Sequence, residues 1–497
     1  MADLRVNLCG IESPNPFWLA SGPPANSGDQ VMRAFDAGWG GAVWKTLGQP
    51  ILNVWSRYGG LDVGGSKVVG LNNIELITDR PLEDNFREIA AVKKRYPKHV
   101  VVASLMVEKK EEWREIIRRA EDAGADAHEL NFGCPHGMCE RGMGSAVGQE
   151  PKIIEVITSW AKEFATKPVL IKLTPSVNDI TETGLAAQRG GADGVSLINT
   201  IKSLMGVDLD RFCPMPYVGG KSTNGGYCGP AVKPIALFLT GELARHPDFK
   251  IPISGIGGIA NWRDAAEFMA LGSTTVQVCT AVMHYGFRIV EDMIAGLSDY
   301  LDSKGMRKAM DLVGRATPAF VDWGDLDLNY KVVARIDPRT CIGCQLCYVA
   351  CWDGAHQCID LPAQGQPPYV EPSLTYPAPT TAALGSRDKR DTLAVRAAKA
   401  AAGGAGGGNG GGGDGGDAAA AAPAGVRVPK VREDDCIGCN LCSLVCPVPG
   451  CITMTQIPTG RPSITWNEFV AKGQSPDLLG GRPPTSAHAP KPELTAR

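Results

Sequence analysis

At 497 residues the chain is longer than one ordinary hydrophobic core, so two or more domains are expected. Its apolar fraction of 44% is ordinary for a soluble globular protein, and a net charge of -3 gives no basic field, which argues against nucleic acid or an anionic membrane as the main partner. No apolar run approaches a bilayer-spanning length, and the start, Met1-Ala-Asp-Leu-Arg-Val-Asn-Leu-Cys9, has neither an apolar signal core nor an Arg/Ser-rich transit stretch. A cytoplasmic location is therefore expected; a plastid one would require a targeting segment already removed.

Up to about residue 320, short apolar runs rich in β-branched residues alternate with amphipathic stretches. The runs that read as strands are Phe17–Ser21, Gly41–Lys45, Val100–Leu105, Ala127–Asn131, Val169–Leu173, Gly194–Ile198, Ile251–Ser254 and Thr275–Val278. Helical patterns lie between them, including Glu83–Arg95, Glu111–Asp122, Lys152–Ala165 and Ala231–Arg245. Eight strands, each followed by a helix or a long excursion, predict an α/β fold, a (β/α)8 TIM barrel over 1–315. A doubly wound open sheet is the competing topology. A connector follows at 316–335, then a small α+β domain at 336–375 and 426–456. The insert between its halves, 376–425, contains Gly403-Gly-Ala-Gly-Gly-Gly and an alanine run from Ala418. Such a composition cannot build a core, so the insert is expected to be disordered, and 457–497 to be a flexible tail.

Ligands of a barrel sit at the C-terminal strand ends, where this chain places Ser21, Lys45, Asn131, Lys172, Asn199, Thr200, Gly257, Gly258, Cys279 and Thr280. Any one of them is explained by a cap or a solvated end; their recurrence on most strands predicts a lined pocket. The turn Gly255-Ile-Gly-Gly-Ile-Ala260 formally fits a dinucleotide pattern, but the next strand ends in Cys279-Thr-Ala rather than an acid. It reads instead as a phosphate site, and one phosphate plus lysines suits FMN better than NAD. The loop Asn131-Phe-Gly-Cys134-Pro-His-Gly-Met-Cys-Glu-Arg-Gly-Met-Gly144 has the glycines of a lid, and its Cys134 is placed to act as an acid toward a carbon centre. His136 either tunes that thiol or only hydrogen-bonds the loop; Cys139 reads as a bystander.

Eight of the sixteen cysteines form two groups, Cys341-x2-Cys344-x2-Cys347-x3-Cys351 and Cys436-x2-Cys439-x2-Cys442-x3-Cys446-Pro447. Three cysteines at this spacing wrap one [4Fe-4S] cube, and the fourth ligates the other cluster. One cluster is thus assigned Cys341, Cys344, Cys347 and Cys446, the other Cys436, Cys439, Cys442 and Cys351. Zinc more often takes paired C-x2-C knuckles than an unbroken run. Trp352 stands where a proline is usual, and the 84 residues between Cys351 and Cys436 fall to 34 without the insert. Cys358 and Cys451 lie outside the pattern and read as spare core thiols. Two clusters on a ferredoxin-like module make an electron wire whose terminus lies elsewhere.

Together these residues resemble the dihydropyrimidine dehydrogenase family, its FMN barrel plus two-cluster domain, from Asn7 to about Leu301 and over both cysteine groups. The marks are Leu19-Ala-Ser-Gly22, Ala34-Phe-Asp-Ala-Gly-Trp-Gly40, Asn73-Ile-Glu-Leu76, Cys134-Pro-His-Gly-Met138 with Glu140-Arg-Gly-Met-Gly144, Lys172-Leu-Thr-Pro175, Asn199-Thr200 and Leu204-Met-Gly206. The resemblance implies that Asn73, Asn131, Asn199 and Thr200 bind the O2, N3–H and O4 edge of uracil or thymine. It implies that Lys45 and Lys172 stabilise reduced FMN, that Ser21, Gly257, Gly258, Cys279 and Thr280 hold its remainder, and that Cys134 protonates C5. Gly133 stands where some members have serine. The residues match no part of the N-terminal FAD, NADPH and cluster portion of the long animal enzyme. The resemblance therefore implies a separate FAD- and NAD(P)H-binding flavoprotein partner, in a homodimer or hetero-oligomer. Dihydroorotate dehydrogenase of the class 1 type is the nearest rival, and a non-catalytic electron-transfer iron-sulfur subunit is the alternative from another class.

Overall fold

The computed structural model describes residues 2–49, 52–60, 63, 65–134, 143–362 and 426–474, which divide into two compact units, Met1–Phe320 and Val321–Arg497. His136, Cys139 and the insert 376–425 lie outside the described residues, so the expectations placed on them do too.

In the first unit the strands β1 (Phe17–Leu19), β2 (Gly41–Leu47), β3 (Val100–Leu105), β4 (Ala127–Asn131), β5 (Val169–Lys172), β6 (Gly194–Leu197), β7 (Ile253–Ile256) and β8 (Ser273–Val278) close into a barrel. All neighbours are parallel and β6 pairs with β5 to complete the ring. A helix follows each strand: Gly28–Ala37, Leu82–Arg95, Lys110–Asp122, Pro151–Phe164, Ile180–Arg189, Lys233–Arg245, Trp262–Ala270 and Ile289–Ser303. This is the expected (β/α)8 barrel, and the open-sheet alternative is excluded by its closure. Every residue of β2 and β3 is buried, as parallel strands covered on both faces require. The helix Lys110–Asp122 buries Trp113, Ile116, Ile117 and Ala120, the i, i+3, i+4, i+7 stripe that binds a helix to a sheet.

Inside, the barrel grades from apolar to polar. Leu8, Trp18, Val43, Val102, Ala127 and Leu170 form one packed cluster, and Leu8 comes from an antiparallel hairpin, Val6–Leu8 with Ile11–Ser13. Higher up, the residues that follow at period two are Lys45, Ser104, Glu129, Lys172 and Ser196, all buried. Excursions over the strand ends add a four-stranded sheet with Ile201–Ser203, Gly225–Cys228, Leu71–Asn73 and Tyr58–Gly59 in that order. Among the described residues no helix is long and apolar enough to cross a membrane.

The second unit is built on Lys331–Ile336 paired antiparallel with Ile452–Ile457, and on Ile359–Asp360 paired with Lys430–Val431. Its first strand thus begins inside the segment expected as a connector, because its partner lies far along the chain. The expectation of a loose tail from 457 is corrected as far as 474. Thr465 and Glu468 form a reciprocal capping box for the helix Trp466–Ala471, which buries Phe469 and packs Trp466 on Trp323.

Candidate functional site

The C-terminal ends of the barrel strands line a cleft of about 1200 Å3 of atom-free space, part of it open to solvent. Ser21, Lys45, Asn73, Asn131, Cys134, Lys172, Asn199, Thr200, Gly257, Gly258, Cys279 and Thr280 all lie on its wall. Strand geometry puts them there: Asn131 and Lys172 end β4 and β5, while Gly257 and Cys279 directly follow β7 and β8. Asn73 arrives differently, from the accessory sheet, where its amide donates to the Gly226 carbonyl at 3.1 Å.

Several of these polar groups form one oriented chain. The Asn131 amide donates to Thr46 Oγ1 at 2.9 Å, and the Asn199 amide donates to Asn131 Oδ1 at 2.9 Å. The Thr200 N–H then donates to Asn199 Oδ1 at 2.8 Å, while Ser21 Oγ lies 3.2 Å from Thr46 Oγ1. Each amide is fixed by its neighbour, so its outward donors and acceptors are preorganised.

Both lysines have buried carboxylate partners that sequence reasoning missed. Lys45 Nζ lies 2.7 Å from Glu75, whose carboxylate also takes Arg57 at 2.9 Å and the Tyr58 hydroxyl at 2.7 Å. Burial, with Glu75 beside it, pushes the Tyr58 phenol well up. Lys172 Nζ lies 3.4 Å from Glu129 Oε1, and Glu129 is wholly buried within the barrel. Ser196 Oγ and Gln277 Nε2 donate to its other oxygen at 2.7 and 3.0 Å. A glutamate in the middle of an apolar strand, Ala127-His-Glu-Leu-Asn131, was the available signal for Glu129.

Cys134 is buried in a small apolar cluster with Ile77, Met106 and Met143. The described ends of its loop meet: Ser145 N–H donates to the Cys134 carbonyl at 3.0 Å, and a Cβ on Gly144, at φ +62°, would sit 2.7 Å from that oxygen. Gly133 is also demanded by space, since a Cβ there would lie 2.5 Å from Asn199 Cβ and 2.6 Å from its amide nitrogen. Two further thiols, Cys279 and Cys228, line the cleft. Burial first of all pushes them up to about 12 and about 11, so they line the wall as inert protonated groups. At the late-strand turn Gly257 and Gly258 have φ +131° and +74°, and a Cβ on Gly258 would meet Lys233 N at 2.8 Å and Gly229 O at 2.9 Å. Only bare backbone fits, which is what a closely held phosphate needs.

In the second unit the two cysteine runs adopt one conformation twice. Gly343 and Gly438 have φ +68° and +72°, and Gln345 and Asn440 have +63° and +66°. A Cβ on Gly438 would sit 2.7 Å from the Val332 carbonyl, so the chain can pass only as glycine. The runs surround two cavities. One is lined by Cys341, Cys344, Cys347 and Cys446, the other by Cys436, Cys439, Cys442 and Cys351. The fourth cysteine of each run therefore crosses to the other cavity. Among the described residues no three His, Cys, Asp or Glu groups converge closely enough to chelate one ion. Thiolates spread about a cube are set wider than ligands of a single zinc.

The chain is 44% identical over 369 residues to a subunit of the NAD-dependent dihydropyrimidine dehydrogenase of Escherichia coli, covering 74% of this chain and 90% of that one. That match is longer than the 320 residues of the barrel unit, so it enters the cysteine module. Against the chloroplastic NADP(+) dihydropyrimidine dehydrogenase of Arabidopsis thaliana identity is 42% over 342 residues, 66% of this chain and 80% of the relative. The catalytic subunit of dihydroorotate dehydrogenase B (NAD(+)) from Pyrococcus horikoshii is 37% identical over 313 residues, 63% of this chain and 97% of its own length. The sequence profile named dihydroorotate dehydrogenase matches residues 3–301, and the chain belongs to that family of oxidoreductases.

Proposed function

We propose that this chain reduces the 5,6 double bond of uracil and thymine, using FMN in the barrel cleft and two [4Fe-4S] clusters in the cysteine module. Electrons come from NAD(P)H through a separate flavoprotein subunit. The observation that carries this reading is the oriented chain Asn131, Asn199 and Thr200, with Asn73, on the same wall as Cys134. The pyrimidine edge alternates acceptor, donor, acceptor, and amides supply both complements.

The wall fits FMN by its groups. Lys45 and Lys172 suit an anionic ring edge, and Gln277, a buried residue of the wall, has an Oε1 without a partner that suits a ring N–H. Gly257 and Gly258 leave bare backbone for the single phosphate, with Ser21, Cys279 and Thr280 beside it. When bound, FMN supplies the hydride that C6 accepts. The asparagines orient the ring, Cys134 gives the proton to C5, and its apolar surround excludes competing water. Glu75 and Glu129 hold the two lysines in position. The two thiol-lined cavities fit one cluster each, which supplies one-electron steps between partner and barrel.

Dihydroorotate dehydrogenase activity is the second reading, favoured by the family profile. Orotate adds a carboxylate to the same pyrimidine edge, so a direct comparison of substrates separates the two readings. Anaerobic purification with flavin and iron counts, then assay of uracil, thymine and orotate side by side with an artificial electron donor, tests the assignment. Uracil and thymine turnover is expected; turnover of orotate alone, or a flavin-free protein, overturns it.

A further inference from the structure

Each cavity of the cysteine module is lined by five cysteines where a cluster of this kind takes four. Cys358 is the fifth in one and Cys451 in the other, and both are buried. The two occupy corresponding positions. Each directly precedes a strand, Ile359–Asp360 after Cys358 and Ile452–Ile457 after Cys451. Cys358 reaches a ligand of the cluster in its cavity, its Sγ 3.5 Å from that of Cys351, while its backbone N–H donates to Cys351 Sγ at 3.3 Å. Cys451 instead donates to the Asp337 carbonyl, 3.8 Å from its Sγ.

We infer that Cys358 is not a spare core thiol but a hydrogen-bond donor to the cluster ligand Cys351, and that it raises the reduction potential of that cluster. The inference rests on the iron-sulfur reading above. Reduction adds negative charge that is shared with the thiolates, and a donor aimed at a thiolate stabilises the reduced form more than the oxidised one. Cys358 reaches a ligand sulfur of its cluster, whereas Cys451 gives its proton to a backbone carbonyl and serves as the internal comparison. Cys358 thereby helps set which cluster of the pair is the easier to reduce.

The test is a redox titration followed by electron paramagnetic resonance on the anaerobically purified full chain, with iron and sulfide counts. In Cys358→Ala and Cys451→Ala both clusters are expected to remain. The ratio of reduced to oxidised cluster at a fixed potential should fall about tenfold in Cys358→Ala, which is about 59 mV for a one-electron couple, and hold near the parent in Cys451→Ala. Cys358→Ser keeps a donor and should hold its potential at or above that of the parent. An unmoved potential in Cys358→Ala overturns the inference. So does loss of a cluster in Cys358→Ala with retention in Cys351→Ala, which would make Cys358 the ligand. Should Cys358→Ala not fold, a Cys358→Ser potential clearly below the parent overturns it. A parent protein without iron instead removes the iron-sulfur reading itself.

Discussion

Removing the charge of Glu129 while keeping its shape, as in Glu129→Gln, isolates the ion pair beneath the cleft. At the 3.4 Å separation from Lys172, two unit charges in an effective dielectric of ~20 attract by about 5 kcal/mol. Breaking one side of a buried pair costs about 3–5 kcal/mol, and because the amide still accepts from Ser196 and Gln277 the lower end applies, about 3 kcal/mol. Glu129→Leu also strands those two donors, each at about 1–3 kcal/mol, and should be the less stable of the two. Adding Lys172→Met to Glu129→Leu removes the uncompensated cation and should recover much of the loss. Urea unfolding of the barrel followed by fluorescence of the buried Trp18, Trp44 and Trp113 gives the midpoints of these variants, of Lys172→Met alone and of the parent. Strictly additive losses in the double variant, or a Glu129→Leu variant as stable as the parent, would refute the reasoning.

Cys134→Ala should keep flavin and iron contents while pyrimidine turnover falls by orders of magnitude; near-normal turnover would remove the acid role. Gly133→Ser introduces a Cβ 2.5 Å from that of Asn199, so the substrate-facing amide must move and KM should rise more than kcat falls, read from uracil saturation curves. His128 is held below its ordinary value, chiefly by burial and against the pull of Glu121. Its contribution to stability is complete above about pH 6.5 and is lost as pH falls through the lowered native value. Thermal unfolding of the parent should therefore weaken on acidification in that window, and more steeply than that of His128→Gln; superimposable pH curves would sink this. Deleting 376–425 should leave the iron count unchanged, and iron loss would give the insert a structural role.

The barrel was legible because its eight strands are local apolar runs long enough to show a period, and because polar residues ending those runs share one rim by topology alone. Cysteine spacing likewise carried the crossing of Cys351 and Cys446 between cavities. Elements that depend on distant partners were not legible. Val6–Leu8 and Ile11–Ser13 are too short for periodicity, and the pairing of Asn73 with Gly226 spans over 150 residues. Glu75 stood within a quoted motif, yet nothing local said that it would meet Lys45. The helix Trp466–Ala471 was hidden by the Pro- and Gly-rich composition around it.

In the cysteine module the described residues break off at Pro362 and resume at Val426, and these two edges are tied together. Arg427 donates from Nη2 and Nε to the Pro362 carbonyl at 2.7 and 3.0 Å, beside the Ile359–Asp360 and Lys430–Val431 pairing. Whatever spans 363–425 begins and ends at one spot. For a flexible connection, loop closure grows only with the logarithm of length, so links of about ten and about sixty residues between these edges would differ by about 1.6 kcal/mol. The site is thus a ready port for protein engineering. A fluorescent reporter or an affinity handle spliced there would sit within the module's sequence while leaving both sulfur-bearing loops untouched.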